Sequence, residues 1–457
     1  MCLGLLMHDA YSDCIFVSGG PMMRQFRSLT LGFVMTSGMR EADVVNLQTI
    51  FSAHPRNRCL FISETGEPVT GRSGLRLEAN CRFSQTPKLD LLVVGEMTEQ
   101  SLQNPQLQAF LSREVPRASK VIAVSNAVVA LAMAGCLDEF LVTADTPSIH
   151  RLQQLGIKAI DCGQTIVDGK FYTSGPCTSA IESAFMVMNE LRGSGLTKLL
   201  ELNLEYHPKA RFSDVSVPAQ APEELASIKP LKIGVTVSHF LYLPDVMGAI
   251  DVLSALPKVE FYFVGDAPTK VQAALGPEVF IDTPFEDCPP LDILLVGAAM
   301  PKQSMNVELL QFIKRQSQQA AAVIGVCAGS VLLGQVGLLK GKTAATNFHM
   351  RKLLPHFGAE ISRGEVVADG KVYTAGPAIG SYEAALMAVA ELFGQPVAAY
   401  LEQHRLEYRP HPLHGVGTPE LAGKGLTNLS LVLCCGFNPL YRQAAKIGCR
   451  RLAQTTA

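Results

Sequence analysis

The sequence contains no tryptophan, no stripe of basic residues and no apolar run of the roughly 20 residues that a membrane helix needs. Its formal net charge is −2 and 18% of its residues are charged, so charge gives no support to a nucleic-acid partner. The apolar residues at the amino terminus follow no basic segment and are interrupted at His8 and Asp9, so we expect no signal peptide. These absences predict a cytoplasmic protein with neither nucleic acid nor membrane as a partner.

Paired cysteine spacing is also missing, although the chain has twelve cysteines. Cys434 and Cys435 are adjacent, which suits neither a zinc site nor an easily formed disulfide. Scattered cysteines are typical of reduced thiols in a cytosolic protein. We therefore expect no metal site and no disulfide framework.

The chain does contain an internal repeat. Asp43 has its counterpart in Asp245 (245 − 43 = 202), and three further segments recur in the same order at almost this offset. The matched segments are residues 43–47 with 245–249, 121–125 with 323–327, 171–176 with 372–377, and 204–206 with 406–408. A repeat of this length is a domain rather than a solenoid unit. The sequence therefore predicts a tandem duplication.

The predicted domain boundaries follow from the repeat and from proline content. The first domain is expected over residues 28–212 and the second over residues 231–420. Residues 213–230 contain Pro218, Pro222 and Pro230 and are predicted to be a linker. Residues 1–27 and the tail 421–457 fall outside both domains.

Short apolar segments alternate with helical patterns within each copy. In the second copy we predict strands at 231–237, 259–264, 292–296 and 321–326, and helices at 244–255, 303–318 and 329–337. This alternation predicts two tandem α/β domains, each with a doubly wound, mostly parallel, flavodoxin-like sheet. Ligands of such sheets bind beyond the carboxyl ends of the strands, and Cys327 follows one of those ends.

Residues 323–330, VIGVCAGS, pass from a β-branched strand through small residues into a helix, as in a nucleophile elbow. A sharp turn of this kind exposes the side chain above the sheet and strains the backbone. The helix N-terminus is expected to favour the Cys327 thiolate and so to lower the thiol pKa. The alternative is a buried structural cysteine.

Asp245 lies at a strand-to-helix junction on the same predicted edge as Cys327. An acid at this position commonly stabilises the helix N-terminus and does nothing else. A carboxyl beside a thiolate in apolar surroundings would also have a raised pKa, which makes Asp245 a candidate proton donor.

The second copy resembles the DJ-1/PfpI family of the class I glutamine amidotransferase-like superfamily, and within it the isonitrile hydratase-like branch. The segments that carry the resemblance are 245–248 (DVMG), 326–330 (VCAGS), 333–334 (LG), 337–341 (GLLKG) and 406–410 (LEYRP). The resemblance implies that Cys327 attacks the terminal carbon of a small isocyanide substrate and that Asp245 assists proton transfer. Water then completes the conversion to an N-substituted formamide, without metal or organic cofactor.

Two departures from the hydratase pattern affect the site. Ala328 stands where the hydratases usually have threonine, and Gly297-Ala298 follow a strand that usually ends in Pro-Gly-Gly. Gly297, Ala298 and Ala328 can still supply backbone N–H groups to a developing negative charge. No histidine follows Cys327, so a local Cys–His pair is missing. His349, His404 and His411 are expected in surface or packing roles, although His349 is also weighed as a catalytic group.

Two other functions remain open at this point. One is a glyoxalase- or deglycase-like activity, which in this superfamily usually relies on a glutamate at the first helix and a histidine beside the cysteine. The other is a non-enzymatic redox or ligand sensor with an oxidisable Cys327. Related transcription regulators carry a helix-turn-helix pair, for which only the short tail leaves room.

The first copy has Ser125 at the elbow, followed by Asn126, and it retains Asp43. A serine nucleophile needs a base, and no histidine stands beside it, so we predict a catalytically degenerate domain. We expect it to pair with the second copy as an intrachain pseudo-dimer, and association into homo-oligomers is left open. The tail is apolar over 426–437 and basic beyond. It is expected to be poorly ordered or to dock on the second domain, with an amphipathic membrane-binding helix as the alternative.

Overall fold

The computed structural model describes residues 27–362, 364 and 366–456, and these residues form two compact units. The N-terminal unit comprises the residues up to Thr197 together with Leu406–Leu413. The C-terminal unit comprises Lys198–Arg405 and the residues from His414 onward. Each unit contains one seven-stranded, mostly parallel sheet, which confirms the predicted fold class.

The sheet of the N-terminal unit has the order β10-β11-β7-β6-β1-β2-β5. Its strands are β1 (Leu29–Val34), β2 (Asn57–Ser63), β5 (Cys81–Arg82), β6 (Leu91–Val94), β7 (Lys120–Val124), β10 (Ile166–Asp168) and β11 (Phe171–Ser174). Only the edge pair β10–β11 is antiparallel. All four residues of β6 are buried, because helices cover both faces of a parallel sheet.

The sheet of the C-terminal unit repeats this plan in the order β16-β13-β12-β17-β18-β22-β21. Its strands are β12 (Leu231–Thr236), β13 (Val259–Gly265), β16 (Thr283–Pro284), β17 (Ile293–Val296), β18 (Ala322–Val326), β21 (Val366–Asp369) and β22 (Val372–Ala375). Here the edge pair β21–β22 is the antiparallel one. Every residue of β17 and β18 is buried, so the middle of this sheet forms the core.

Helices and short strands connect these sheet strands. The helices of the first part are α1 (Glu41–Ser52), α2 (Glu99–Leu102), α3 (Pro105–Arg117), α4 (Ala127–Met133), α5 (Thr146–Gln154), α6 (Thr178–Arg192), α7 (Ser194–Asn203) and α8 (Glu223–Ser227). Those of the second part are α9 (Pro244–Ser254), α10 (Val307–Gln319), α11 (Gly329–Gln335), α12 (Ile379–Phe393), α13 (Gln395–Tyr400), α14 (Pro419–Leu433) and α15 (Phe437–Thr456). The remaining strands are β3 (Val69–Thr70), β4 (Arg76–Leu77), β8 (Leu141–Val142), β9 (Lys158–Ala159), β14 (Thr269–Gln272), β15 (Glu278–Ile281), β19 (Thr343–Ala344) and β20 (Glu360–Ile361).

The elements predicted for the second copy are confirmed to within a few residues, with one difference. The helix predicted over 303–318 is divided into a 3₁₀ turn, Pro301–Met305, and the helix α10. Asn306 separates them, and its side-chain oxygen accepts a hydrogen bond from Leu309 N at 3.1 Å. An N-cap of this kind fixes the start of the helix beyond the first predicted turn.

The compact units differ from the predicted domain boundaries, and the predicted linker, residues 213–230, lies within the C-terminal unit. Residues 198–212, expected in the first domain, belong to the C-terminal unit, and Leu406–Leu413, expected in the second, belong to the N-terminal unit. Buried carboxylates hold the first segment in place, since Glu402 accepts hydrogen bonds from Arg211 N at 2.9 Å and Phe212 N at 2.8 Å. Such long-range contacts leave no local pattern in the sequence.

The tail docks on the C-terminal unit, as one of the alternatives predicted. Gly448 of α15 packs against the 3₁₀ turn so closely that an added Cβ would lie 1.9 Å from Ser304 O. Gln335 Nε2 donates to Ser304 O at 2.8 Å and to Ala445 O at 3.2 Å. Among the described residues, no helix has both the length and the apolar character needed to cross a bilayer.

Candidate active site

Cys327 occupies a strained turn between β18 and α11. Its φ is +56°, a left-handed conformation that is rare for residues other than glycine. The turn lies so close to the end of β17 that a Cβ on Gly329 would be 2.0 Å from Val296 O. The structure therefore contains the predicted sharp strand-to-helix turn and explains why small residues surround the cysteine. The expectation that the turn exposes the side chain is wrong, because Cys327 is buried.

The Cys327 thiol is buried, with 3% of the residue exposed. Asn347 Nδ2 donates to its sulfur at 2.9 Å. Burial, reinforced by the nearby Asp245, raises the thiol pKa well above its ordinary value. This differs from the lowered pKa expected from the helix N-terminus, because α11 is only seven residues long and desolvation outweighs its dipole.

Asp245, in the first turn of α9, is completely buried. Its Oδ1 accepts from Ala378 N at 2.9 Å and its Oδ2 accepts from Ala298 N at 3.2 Å. The Cys327 thiol lies within electrostatic reach of this carboxyl. Burial raises the pKa of this carboxyl to about 7, against the lowering effect of these hydrogen bonds. The structure thus brings the two predicted site residues together at the carboxyl edge of the sheet.

The three residues predicted to offer backbone N–H groups differ in their surroundings. The Ala298 N–H already donates to Asp245, so in this arrangement it is occupied rather than free for a developing charge. Ala328 is the N-cap residue of α11 and directly follows Cys327 in the chain. Gly297 lies where the backbone passes close to α9, since a Cβ there would be 2.8 Å from a methyl group of Val246.

Sequence reasoning missed three residues that contact this pair. Asn347 donates to the sulfur, Thr346 Oγ1 donates to Cys327 O at 2.6 Å, and Ala378 N donates to Asp245. Ala378 directly follows the repeated Gly-Pro landmark at 376–377, and it has a φ of +49°. The repeated Gly-Pro segment could have identified Ala378 as a residue near the site, whereas no sequence signal singles out Asn347.

The docked tail is tied to two loops beside the elbow. The Tyr441 hydroxyl donates to Ala299 O, and Asn438 Nδ2 donates to His349 O at 2.6 Å. His349 Nε2 lies 2.9 Å from Ser430 Oγ, and burial lowers its pKa to about 4. A neutral imidazole bonded to the tail supports a packing role for His349. His404 and His411 are exposed, as predicted.

The corresponding position of the N-terminal unit has the same backbone conformation as the elbow but a serine in place of the cysteine. Ser125 has a φ of +52° and is completely buried. Within the part of the chain that the structure describes, its hydroxyl has no hydrogen-bond partner. A serine without a base is a poor nucleophile, so this geometry supports the predicted degeneracy.

Asp43, the counterpart of Asp245, has also changed its surroundings. Its Oδ2 accepts from Glu96 N at 2.8 Å, as Asp245 accepts from Ala298. Arg40 now lies beside it, with Nε 3.9 Å from Asp43 Oδ1 and a guanidinium nitrogen 3.3 Å from Glu96 Oε2.

Sequence similarity to known proteins covers both copies of the repeat. The profile of the DJ-1/PfpI family matches the chain twice, over residues 31–190 and 232–391. Isonitrile hydratase of Pseudomonas putida is 37% identical over 194 residues, which are 42% of this chain and 85% of that protein. An uncharacterized protein encoded in the cpoL 5′ region of Streptomyces lividans is 28% identical over 125 residues, covering 26% of this chain and 89% of that protein.

A crystal structure of a ThiJ/PfpI family protein from Pseudomonas syringae is also similar. It has a TM-score of 0.47 and 24% identity, and the match covers 51% of this chain and 98% of that one. The two profile matches together span more than half of the chain. The chain therefore belongs to the DJ-1/PfpI family, of which it carries two copies in tandem.

Proposed function

We propose that the C-terminal unit is a cysteine-dependent, cofactor-free hydratase that converts an isocyanide and water to an N-substituted formamide. The observation that carries this proposal is a buried Cys327 thiol that accepts a hydrogen bond from Asn347 and lies within electrostatic reach of the buried Asp245 carboxyl. The 37% identity to isonitrile hydratase of Pseudomonas putida supports the substrate class.

The first step joins the cysteine to the substrate. Asp245 takes the thiol proton while the Cys327 sulfur bonds to the terminal carbon of the isocyanide. The carboxyl then returns this proton to the same carbon, which leaves a thioformimidate on Cys327. Asn347 Nδ2, 2.9 Å from the sulfur, stabilises the charge on sulfur while the proton is away.

The second step releases the product. Water adds to the thioformimidate carbon, and the nitrogen takes a proton. The carbon–sulfur bond then breaks, its electron pair returns to the sulfur, and the hydroxyl proton passes to the sulfur through Asp245. The products are the formamide and the free thiol, so the cycle needs neither an oxidant nor a reductant.

The site does not favour the other functions considered. Redox sensors use accessible thiols of low pKa, whereas Cys327 is 3% exposed and burial raises its pKa. A deglycase-like reaction in this superfamily usually relies on glutamate at the first helix and histidine beside the cysteine. Asp245 and Ala328 stand at these two positions.

Turnover of a simple alkyl isocyanide tests the proposal, with formamide release as the measurement. Cys327→Ala should lower kcat by about 10³-fold or more, because the nucleophile is lost. The matched control is Ser125→Ala, at the same position of the other copy, which should turn over like the wild type. Equal turnover by wild type and Cys327→Ala would overturn the assignment.

Asp245→Asn tests the acid in the same assay. The amide cannot transfer a proton, so kcat should fall by about 10²- to 10⁴-fold, the usual contribution of general acid–base catalysis. Asp43→Asn is the matched control in the other copy, and it should leave turnover unchanged. If both substitutions leave turnover unchanged, Asp245 has no part in proton transfer.

A further inference from the structure

Glu205 belongs to the Leu-Glu-Tyr landmark that ends the first repeat, yet it lies in the C-terminal unit. Only 3% of it is exposed, and its φ is +46°. A buried carboxyl on a left-handed backbone is costly to maintain unless its surroundings hold it there. The contacts of the Glu205 carboxyl show which loop of the C-terminal unit it holds in place.

The carboxyl of Glu205 binds the loop that follows β19. Its Oε1 accepts from Phe348 N at 2.7 Å, and its Oε2 lies 3.5 Å from a guanidinium nitrogen of Arg351. A Cβ on Gly376 would lie 3.1 Å from Oε2, so the absence of a side chain at Gly376 leaves room for the carboxyl. A charged acceptor on a backbone N–H is a strong hydrogen bond and fixes this loop at Phe348.

The residue before Phe348 is Asn347, whose Nδ2 donates to the Cys327 sulfur at 2.9 Å. Asn347 Oδ1 accepts from Met350 N at 3.0 Å, so the amide is held from one side by its own loop. Glu205 holds the backbone on the other side, one peptide away. The chain of contacts therefore runs from Glu205 through Phe348 and Asn347 to the sulfur.

The N-terminal unit contains an equivalent set of contacts, in which a glutamate binds a loop backbone N–H, but it has no cysteine at the elbow. Glu407, from the landmark that ends the second repeat, lies in that unit with a φ of +44°. Its Oε1 accepts from Thr146 N at 2.8 Å, and a Cβ on Gly175 would lie 3.1 Å from its Oε2. Asp145, which precedes Thr146, has no amide to donate, and the elbow carries Ser125. Glu407 is thus a control for Glu205 within one chain.

We infer that Glu205 is a positioning residue for Cys327: it holds the Asn347 amide against the sulfur, and the second repeat alone therefore lacks part of its own site. The inference rests on the proposed function only for the reaction that is assayed; the positioning itself is argued from the contacts of Glu205 and Asn347. It places a residue from outside the second repeat in the support of the active cysteine, beyond what the matched family segments contain.

Turnover of an alkyl isocyanide by the full chain provides the first test. Glu205→Ala should lower kcat by about 10- to 100-fold with little change in KM, because a reacting group misplaced by about an ångström costs this much. Glu205→Gln keeps an oxygen that accepts from Phe348 N and should restore most of the rate. Glu407→Ala removes an equivalent bond in the other unit and should turn over like the wild type.

A double-mutant cycle separates positioning from general support of the fold. If Glu205 acts through Asn347, the double variant Glu205→Ala/Asn347→Ala should be no slower than Asn347→Ala alone. Should Glu205→Ala fail to fold, Glu205→Asp keeps the charge but shortens the side chain, and it should lose kcat in the same direction. The inference is wrong if the fold-loss of kcat in the double variant equals the product of the two single fold-losses. It is also wrong if Glu205→Ala and Glu407→Ala lose kcat equally.

Alkylation of Cys327 by iodoacetamide, followed by peptide mass spectrometry from pH 7 to 11, needs no isocyanide. Glu205→Ala should shift the rate–pH curve upward by about one pH unit, equivalent to a tenfold slower rate at fixed pH, because the thiolate loses its amide donor. If Glu205→Ala shifts the curve but the wild type does not turn over an isocyanide, the proposed function is refuted and the inference about Glu205 still holds. An unshifted curve in Glu205→Ala refutes the inference, whatever the substrate proves to be.

Discussion

The Cys327 thiol and the Asp245 carboxyl lie within electrostatic reach of each other in a site where only 3% of the cysteine and none of the aspartate is exposed. Burial disfavours the charged form of each group and therefore raises both pKa values. In the reaction proposed above, the reactive form carries one proton between the two groups, because only then can the sulfur attack while the carboxyl still has a proton to return.

The first prediction concerns pH. Below pH 7 both groups are protonated, because the pKa of Asp245 is raised to about 7, and the sulfur has no base. kcat/KM on an alkyl isocyanide should therefore rise by about tenfold per pH unit up to about pH 7 and then level off. It should fall again only well above pH 9, because the thiol pKa lies well above its ordinary value.

A pH–rate profile from pH 5 to 10 checks this prediction. Glu407→Ala, with its substitution in the other unit, should show the same profile as the wild type. A half-maximal rate near pH 4, the ordinary range of an aspartate, would contradict the role given to burial of Asp245.

A second prediction concerns the elbow of the N-terminal unit. Ser125 is buried, and its hydroxyl has no partner within the described part of the chain. Ser125→Ala should raise the free energy of unfolding by up to about 1 kcal/mol, since it removes an unsatisfied polar group. Denaturant unfolding measures this change, and turnover should stay at the wild-type level.

Ser330→Ala is the matched comparison in the C-terminal unit. The Ser330 hydroxyl donates to Gly325 O at 3.1 Å, so its loss should lower the free energy of unfolding by about 1 kcal/mol. Opposite signs are thus expected for two buried serines. A large loss of turnover in Ser125→Ala would show that the first copy is catalytic after all.

A third prediction concerns the tail. Gly448→Leu should lower the free energy of unfolding by about 1–3 kcal/mol, because the new side chain has to displace the backbone at Ser304. Turnover should fall as well, since Tyr441 and Asn438 on the same helix bind the Ala299 and His349 loops.

Gly425→Leu serves as the control for this change. An added Cβ at Gly425 meets nothing within 4 Å, so stability and turnover should remain close to those of the wild type. If Gly448→Leu behaves like Gly425→Leu, the docking of the tail contributes nothing to the site.

The fold and the central pair could be predicted from the sequence, because both are recorded locally. Alternating strand and helix patterns determine a parallel sheet, and the ends of its strands determine where Cys327 and Asp245 meet. The repeat adds a second signal, since it aligns Ser125 with Cys327 and Asp43 with Asp245.

Interactions between distant segments could not be predicted in the same way. The roles of Asn347 and Glu205 depend on how the loop after β19 and a segment of the first repeat pack within the C-terminal unit. The direction of the Cys327 pKa shift was predicted wrongly, because helix position can be read from the sequence whereas the degree of burial cannot. Arg40 beside Asp43 was missed for the same reason.

Covalent attack by Cys327 is the central claim, and the mass of the cysteine peptide during turnover tests it most directly. The chain is mixed with an alkyl isocyanide, quenched in acid within the first turnovers, digested and analysed by mass spectrometry. We predict an adduct on Cys327 whose mass equals that of one isocyanide molecule, absent from Cys327→Ser and unchanged in Ser125→Ala. Formamide release at the wild-type rate by Cys327→Ser, with no adduct on Cys327 in the wild type, would contradict the account.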